Sequence, residues 1–481
     1  MITRKQFLTA AAVTYAAATT SLWSRADEQA APSADVIVTI DPQHKGHTVS
    51  QSLTGLSYET SQLANPDFFS PTNRDLISYF RLLSHNGVLR LGGNSVELAD
   101  WMPASAPAAT VAQPSQTSAH KHKRTGITRQ AIDNLAGFLS ETGWSLIYGL
   151  NLGTGTADAA ADQAKYVAKA AGKKLIAFQI GNEPDLYSRN GLRAAYWSFE
   201  DYFAEWTTFA DAVQQESPNA PMAGPDIASR QDWITQFAEA ASDRVVLLTG
   251  HYYAEGPPSS PRATCRALLL PSQKLDRFIA AETNAMRTSG LPYRMAESNS
   301  CFNGGKAGVS DTFASALWGA NYMLQLAQAG QTGVDFHGGA GNYTPIANSL
   351  TGGYMARPLF YGMLLAQQFA GTDLLKATVQ APGLNVTAYA SRSKREQLVA
   401  LFNRDTLDAH TFQVSTGAQQ TSAKLWSLTA MELDSQIGVS LAGSEVSSNA
   451  SWTPTATELD TNVPGQFVLT LPAGSAALLF I

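Results

Sequence analysis

Cysteine is almost missing from this chain: Cys265 and Cys301 are the only two in 481 residues. That scarcity excludes a cysteine-rich zinc module or a disulfide-stapled scaffold, and because the histidines fall at no ligand spacing, neither metal nor cofactor is expected. Basic excess is missing as well. Lys and Arg number 33 against 39 Asp and Glu, a formal net charge of −6, which argues against a surface for nucleic acid or another polyanion. The one basic run, residues 120–124, lies in a Ser/Ala/Pro/Thr-rich loop and reads as solvated. No Gly-x-Gly-x-x-Gly follows the first strand, so an open doubly wound sheet is disfavoured. Past the N-terminal segment, no apolar run is long enough to span a bilayer.

What is present describes an ordinary globular chain, with 44% hydrophobic and 15% charged residues. Its first residues have the make-up of a targeting segment: Arg4 and Lys5, an apolar stretch over 7–22, then Ser24-Arg25-Ala26. Thr3 to Leu8 also resembles a twin-arginine signal with Lys in the second position, so the export route stays open. The expectation is an exported protein with no membrane insertion once residues 1–26 are removed. In such a protein, Cys265 and Cys301 either form one disulfide or remain two buried thiols.

Apolar periodicity then alternates between strand and helix. Strands are expected at 53–59, 87–94, 145–150, 175–180, 222–226, 245–252, 293–297 and 333–337. Helical spacing falls between them and closes with 358–369. Eight such units predict an α/β fold, a (β/α)8 TIM barrel, over 51–372. From 373 to 481 the pattern changes to short β-branched runs between Gly, Ser, Asn and Pro, which predicts a β-sandwich. Residues 27–50 hold a linker and one strand, Asp35 to Ile40, that has no partner in the barrel count and is expected to join the sandwich.

Chemistry is expected at the ends of barrel strands. The apolar run 175–180 stops at Gly181-Asn182-Glu183-Pro184, and 293–296 runs into Glu297. Residues at the C-terminal ends of barrel strands face the active-site mouth, and Pro184 ends the ladder by removing a donor. Alone, either glutamate could cap a helix or pair with a rim arginine. Two of them on one rim make an acid/base and nucleophile pair for glycoside hydrolysis, with the roles not distinguishable from spacing alone.

Around that pair stand Asn182-Glu183-Pro184, His251-Tyr252-Tyr253, Glu297 followed by Phe302-Asn303-Gly304-Gly305, and Gly339-Ala340-Gly341-Asn342-Tyr343. Together these resemble the heparanase and β-glucuronidase family of retaining glycoside hydrolases, in motif order and across nearly the whole mature chain. The resemblance implies Glu183 as acid/base and Glu297 as nucleophile. It implies Asn182 on the sugar 2-OH, and Tyr253 as a donor to the nucleophile with His251 on the same wall. It also implies the amides of Asn303 and Gly304, the Gly341 turn and the Tyr343 hydroxyl around the substrate carboxylate. Arg90, at the end of the second strand, is expected either to hold Glu297 ionised or to form a structural salt bridge in the rim. Asp335 and His337 depart from the residue types of heparanase, which implies altered outer subsites. The substrate implied is a β-glucuronide-containing carbohydrate or glycoconjugate, attacked from its end by a monomer. The alternatives are an endo-β-glucuronidase of heparanase type, a β-glucosidase or β-xylosidase of the same clan, and a non-catalytic carbohydrate-binding protein.

Overall fold

The computed structural model describes residues 34–102 and 124–481. The expected targeting segment and the basic run up to Lys123 therefore lie outside the described residues. Eight parallel strands close into a barrel: Thr54–Glu59, Val88–Gly92, Ser145–Leu150, Leu175–Ile180, Met222–Ile227, Leu247–Glu255, Tyr293–Cys301 and Val334–His337. Each is followed by a main helix, from Arg74–Leu83 after the first strand to Pro358–Gln367 after the last. Local chemistry sets the helix starts. Ser198 and Asp201 form a reciprocal capping box at Phe199–Glu216, and Thr128 accepts from the Ala131 amide at the start of Arg129–Thr142.

Two departures from the expected barrel pattern bear on the site. The seventh strand does not stop at Glu297 but continues to Cys301, and its register shifts against both neighbours next to Ala296. Such a bulge re-aims the side chain that follows it. A second shift falls at Asp226 in the fifth strand, where φ is +62°.

The C-terminal domain is a single ten-stranded sheet wrapped around one apolar core. The N-terminal strand Val36–Thr48 crosses to it, pairing antiparallel with Asp373–Gln380 and parallel with His410–Ser415. It is thus an interior strand, with Val36, Val38 and Ile40 facing the core. The domain proper opens with two antiparallel strands, Asp373–Gln380 and Val386–Arg392. Pro382-Gly383 makes the turn between them, with Gly383 at φ +79° and the Leu384 amide donating to the Ala381 carbonyl. Ser475–Phe480, not anticipated as a strand, lies between Gln397–Asn403 and Ser422–Thr429.

The helices Phe313–Gln328 and Pro358–Gln367 are buried almost all round, because barrel residues and sheet residues such as Tyr389, Phe402 and Leu478 share one core with them. Among the described residues, no helix is long and apolar enough to cross a membrane. The two thiols are not joined. Cys265 opens a short helix and donates to the Gly308 carbonyl at 3.3 Å, while Cys301 is buried at the end of the seventh strand against Ser310. Packing directs the two sulfurs to different partners, which corrects the disulfide alternative.

Candidate active site

Four barrel strands meet at one guanidinium. Arg90 is fully buried; its Nη1 donates to Glu297 Oε2 at 2.7 Å and to Ser57 Oγ at 3.2 Å, and its Nε donates to Gln179 Oε1 at 3.0 Å. From Nη2 it donates to Asn182 Oδ1 at 2.8 Å and to Asp226 Oδ2 at 2.5 Å. The planar fork of arginine has an N–H for every one of these acceptors, whereas a lysine ammonium has too few. Arg90 thereby ties the second strand to the ends of the first, fourth, fifth and seventh.

Glu183 follows the fourth strand in a left-handed backbone conformation, φ +50°, uncommon for a residue other than glycine. Its amide donates to the Asp226 carbonyl at 2.9 Å, and its Oε1 lies 3.1 Å from His251 Nδ1. Glu297 is held from its other side by the Tyr253 hydroxyl, 2.7 Å from Oε1. One carboxylate oxygen of Glu183, one of Glu297 and a His251 nitrogen all lie within 4.8 Å of one another. The trio could be read as ligands for a cation. Both His251 nitrogens, however, face carboxylates, Glu183 at 3.1 Å and Asp226 at 3.0 Å, so a ring donating to both has no lone pair to offer a metal.

The surroundings push the two glutamates apart in acidity. Burial raises the Glu183 carboxyl, the Glu297 charge adds to this, and His251 only partly offsets it. Burial would raise Glu297 too, but His337, His251, Arg90 and the Tyr253 hydroxyl outweigh it and hold that carboxyl well below its ordinary value. The result is two carboxyls at close range, one holding its proton more tightly than usual and one giving it up more readily, an arrangement suited to proton donation on one side and nucleophilic attack on the other.

The glycine turns after the seventh and eighth strands come together. Asn303, Gly304, Gly305 and Gly341 all have positive φ, and the Asn342 amide donates to the Gly304 carbonyl at 2.6 Å. A Cβ on Gly341 would collide with that carbonyl, so glycine is required there. The Tyr343 hydroxyl faces the Gly304 amide and the Tyr253 hydroxyl, which sets this turn against the tyrosine that meets Glu297. The ring of Tyr343 lies 6.2 Å from that of Tyr253 and 5.8 Å from that of His337.

Some functional positions were not anticipated. His337 does not lie in an outer subsite: its Nδ1 is 3.5 Å from Glu297, and its Nε2 is 3.7 Å from Glu59. Asp335 is likewise not part of an outer subsite, since it is fully buried in the barrel and paired with Arg294. Asp226 and Gln179 were missed altogether. Asp226 carried the same signal as Glu183, a carboxylate at the end of an apolar run next to proline. Glu97 was missed as well. Burial pushes its carboxyl up to about 7, and it accepts from the Asn182 amide, the Gly153 amide and the Tyr187 hydroxyl, so it underpins the turn that carries Glu183.

No family model matches the chain. A β-glucuronidase of Aspergillus niger is 26% identical over 364 residues, 68% of this chain and 65% of that protein. The heparanase of Gallus gallus is 26% identical over 284 residues, 54% of this chain and 51% of its own. The chain thus spans about half to two thirds of the curated relatives it matches. Among solved structures, a 4-O-α-L-rhamnosyl-β-D-glucuronidase of Fusarium oxysporum superposes with a TM-score of 0.76 at 19% identity, over 92% of this chain and 100% of that one. An α-L-arabinofuranosidase of Thermotoga maritima gives 0.70 at 16% identity, over 93% and 99%. The likeness to these structures is one of fold.

Proposed function

We propose that this chain, related as it is to the heparanase and β-glucuronidase family of glycoside hydrolases, is an exported retaining β-glucuronidase that removes terminal β-linked glucuronic acid. The observation that carries the reading is the pair Glu183 and Glu297, their carboxylate oxygens within 4.8 Å, one carboxyl raised and the other lowered. Separations of about 5–5.5 Å between the carboxyl groups suit a double displacement, whereas inversion needs room for a water between them.

In the first step an oxygen of Glu297 bonds to the anomeric carbon as the glycosidic C–O bond breaks, and the Glu183 proton passes to the departing oxygen. Arg90 and Tyr253 keep Glu297 oriented and ionised. Once Glu297 is esterified, its charge no longer raises Glu183. Glu183 can then take a proton from water as that water attacks the anomeric carbon and releases Glu297. Asn182, held by Arg90, faces the sugar 2-OH. The Gly304 amide and Tyr343 hydroxyl, with Asn303 and the Gly341 turn, supply donors for the C5 carboxylate. Charge-assisted hydrogen bonds of about 1.5–3 kcal/mol each favour the acid over a neutral sugar.

Cleavage from the chain end is favoured over endo cleavage by the net charge of −6, since an endo enzyme on a sulfated polymer needs flanking cations. The deciding experiment compares aryl β-glucuronide, β-glucoside and β-xyloside as substrates. Preference for either neutral glycoside would sink the glucuronidase reading, and release of internal fragments from a glucuronate-containing polymer would favour the endo one.

A further inference from the structure

One buried charge of the site has no step in the reaction above. Asp226 is 1% exposed and sits at the bulge of the fifth strand with φ +62°, a conformation that Asp and Asn tolerate better than other side chains. Its Oδ2 accepts from Arg90 Nη2, its Oδ1 accepts from Gln179 Nε2 and lies 3.0 Å from His251 Nε2, and its carbonyl accepts the Glu183 amide. Three of these four partners touch or belong to the reacting carboxylates. Arg90 meets Glu297, His251 meets Glu183, and the amide is that of Glu183 itself.

We propose that Asp226 is the positioning residue of this site, fixing the His251 ring between itself and Glu183 as a doubly protonated imidazolium. The inference rests on the reading of Glu183 and Glu297 as the catalytic pair. Charge balance supports it. The groups facing the ring are Asp226, Glu297 and Glu183, with Arg90 Nη2 at 3.4 Å. With Glu183 protonated, and with Glu59 and a protonated His337 beside Glu297 counted too, three carboxylates (Asp226, Glu297 and Glu59) oppose Arg90 and His337, and the buried charge is neutralised only if His251 carries a further positive charge. Although burial alone would lower it, the attraction of Asp226 and Glu297 pushes His251 up to about 10. A cationic donor on Glu183 then favours its ionised form once Glu297 has become an ester, which is the form the second step needs.

The test is a 15N titration of the His251 ring, assigned with a His251→Gln sample, in the wild-type chain and in Asp226→Asn. Both ring nitrogens of the wild type should stay protonated to about pH 8, and the midpoint in Asp226→Asn should fall by about a unit or more. With an activated aryl glucuronide, kcat of Asp226→Asn should drop ~10–100-fold at little-changed KM. Azide, which needs no base, should recover part of it. A ring that is singly protonated near neutrality in the wild type, with Nδ1 accepting from Glu183, overturns the inference, as does an unchanged midpoint in Asp226→Asn. Should that variant not fold, the wild-type titration decides alone. Should the wild type cleave no glucuronide, the functional reading fails while the titration still judges the Asp226–His251 pair.

Discussion

Arg90 Nη1 stands 2.7 Å from Glu297 Oε2, and the two side chains are 1% and 8% exposed. A surface pair at that distance would contribute little. Buried, removing one partner leaves an uncompensated charge, at a cost of roughly 3–5 kcal/mol. The contact therefore acts at once on folding and on the ionisation of Glu297, which is why the site's acidity pattern cannot be separated from the closure of the barrel.

The roles of the two glutamates follow from that pattern. Glu183→Ala should slow cleavage of substrates with poor leaving groups by ~10²–10⁴-fold, spare activated ones more, and respond to azide. Glu297→Ala should form no glycosyl-enzyme. The pH profile should be bell-shaped. Activity needs Glu297 ionised, so its lowered pKa puts the acid limb below the ordinary carboxylate range; it needs Glu183 protonated, so its raised pKa puts the alkaline limb above that range. Peptide mapping after a fluoro-glucuronide label checks the assignment, and label on Glu183 would reverse it.

Tyr343→Phe keeps the ring and removes the hydroxyl that meets the Gly304 amide. It should cost about 1.5–3 kcal/mol, or about 10–150-fold in kcat/KM, on glucuronides, with much less change on glucosides. An equal fall on both substrates would mean that Tyr343 supports the common sugar frame or the fold, and that the carboxylate is held elsewhere.

The N-terminal strand can be tested by its alternating faces. Val38 is fully buried in the C-terminal core, whereas its neighbour Ile37 is 38% exposed. Val38→Asp should lower the melting temperature sharply, because an unpaired carboxylate would replace about 1.5–3 kcal/mol of side-chain burial. Ile37→Asp should cost far less. Matching losses in thermal melts would place the strand's core face wrongly.

Glu282 offers a stability test remote from the chemistry. It is fully buried with only the Tyr293 hydroxyl and Gln331 Nε2 as partners, and burial raises its carboxyl from 4.5 to about 7. The folded state thus holds the proton more tightly, and this contribution to stability is full below the unfolded value and lost as pH rises through about 7. The loss should reach roughly 3 kcal/mol at about pH 8. Glu282→Gln should remove most of that dependence, since a flipped Gln331 can turn its unpartnered Oε1 toward the new amide. Denaturant melts at acid and alkaline pH that keep the wild-type slope in Glu282→Gln would refute it.

Local pattern alone was enough for the fourth strand, read at 175–180 and found as Leu175–Ile180, and nearly so for the last helix, read at 358–369 and found as Pro358–Gln367. Periodicity and capping are properties of neighbouring residues, and a carboxylate ending an apolar run marks itself, as Glu183 and Glu297 did. Convergence is another matter. That His337 reaches Glu297, that Asp226 stands behind His251, and that Cys265 and Cys301 do not meet all depend on strand register, on bulges next to Ala296 and at Asp226, and on the packing of loops far apart in sequence. A one-residue change in register turns a strand side chain to the opposite face. The two glutamates were therefore legible along the chain, but their partners and ionisation were decided only when the barrel closed and buried these groups together.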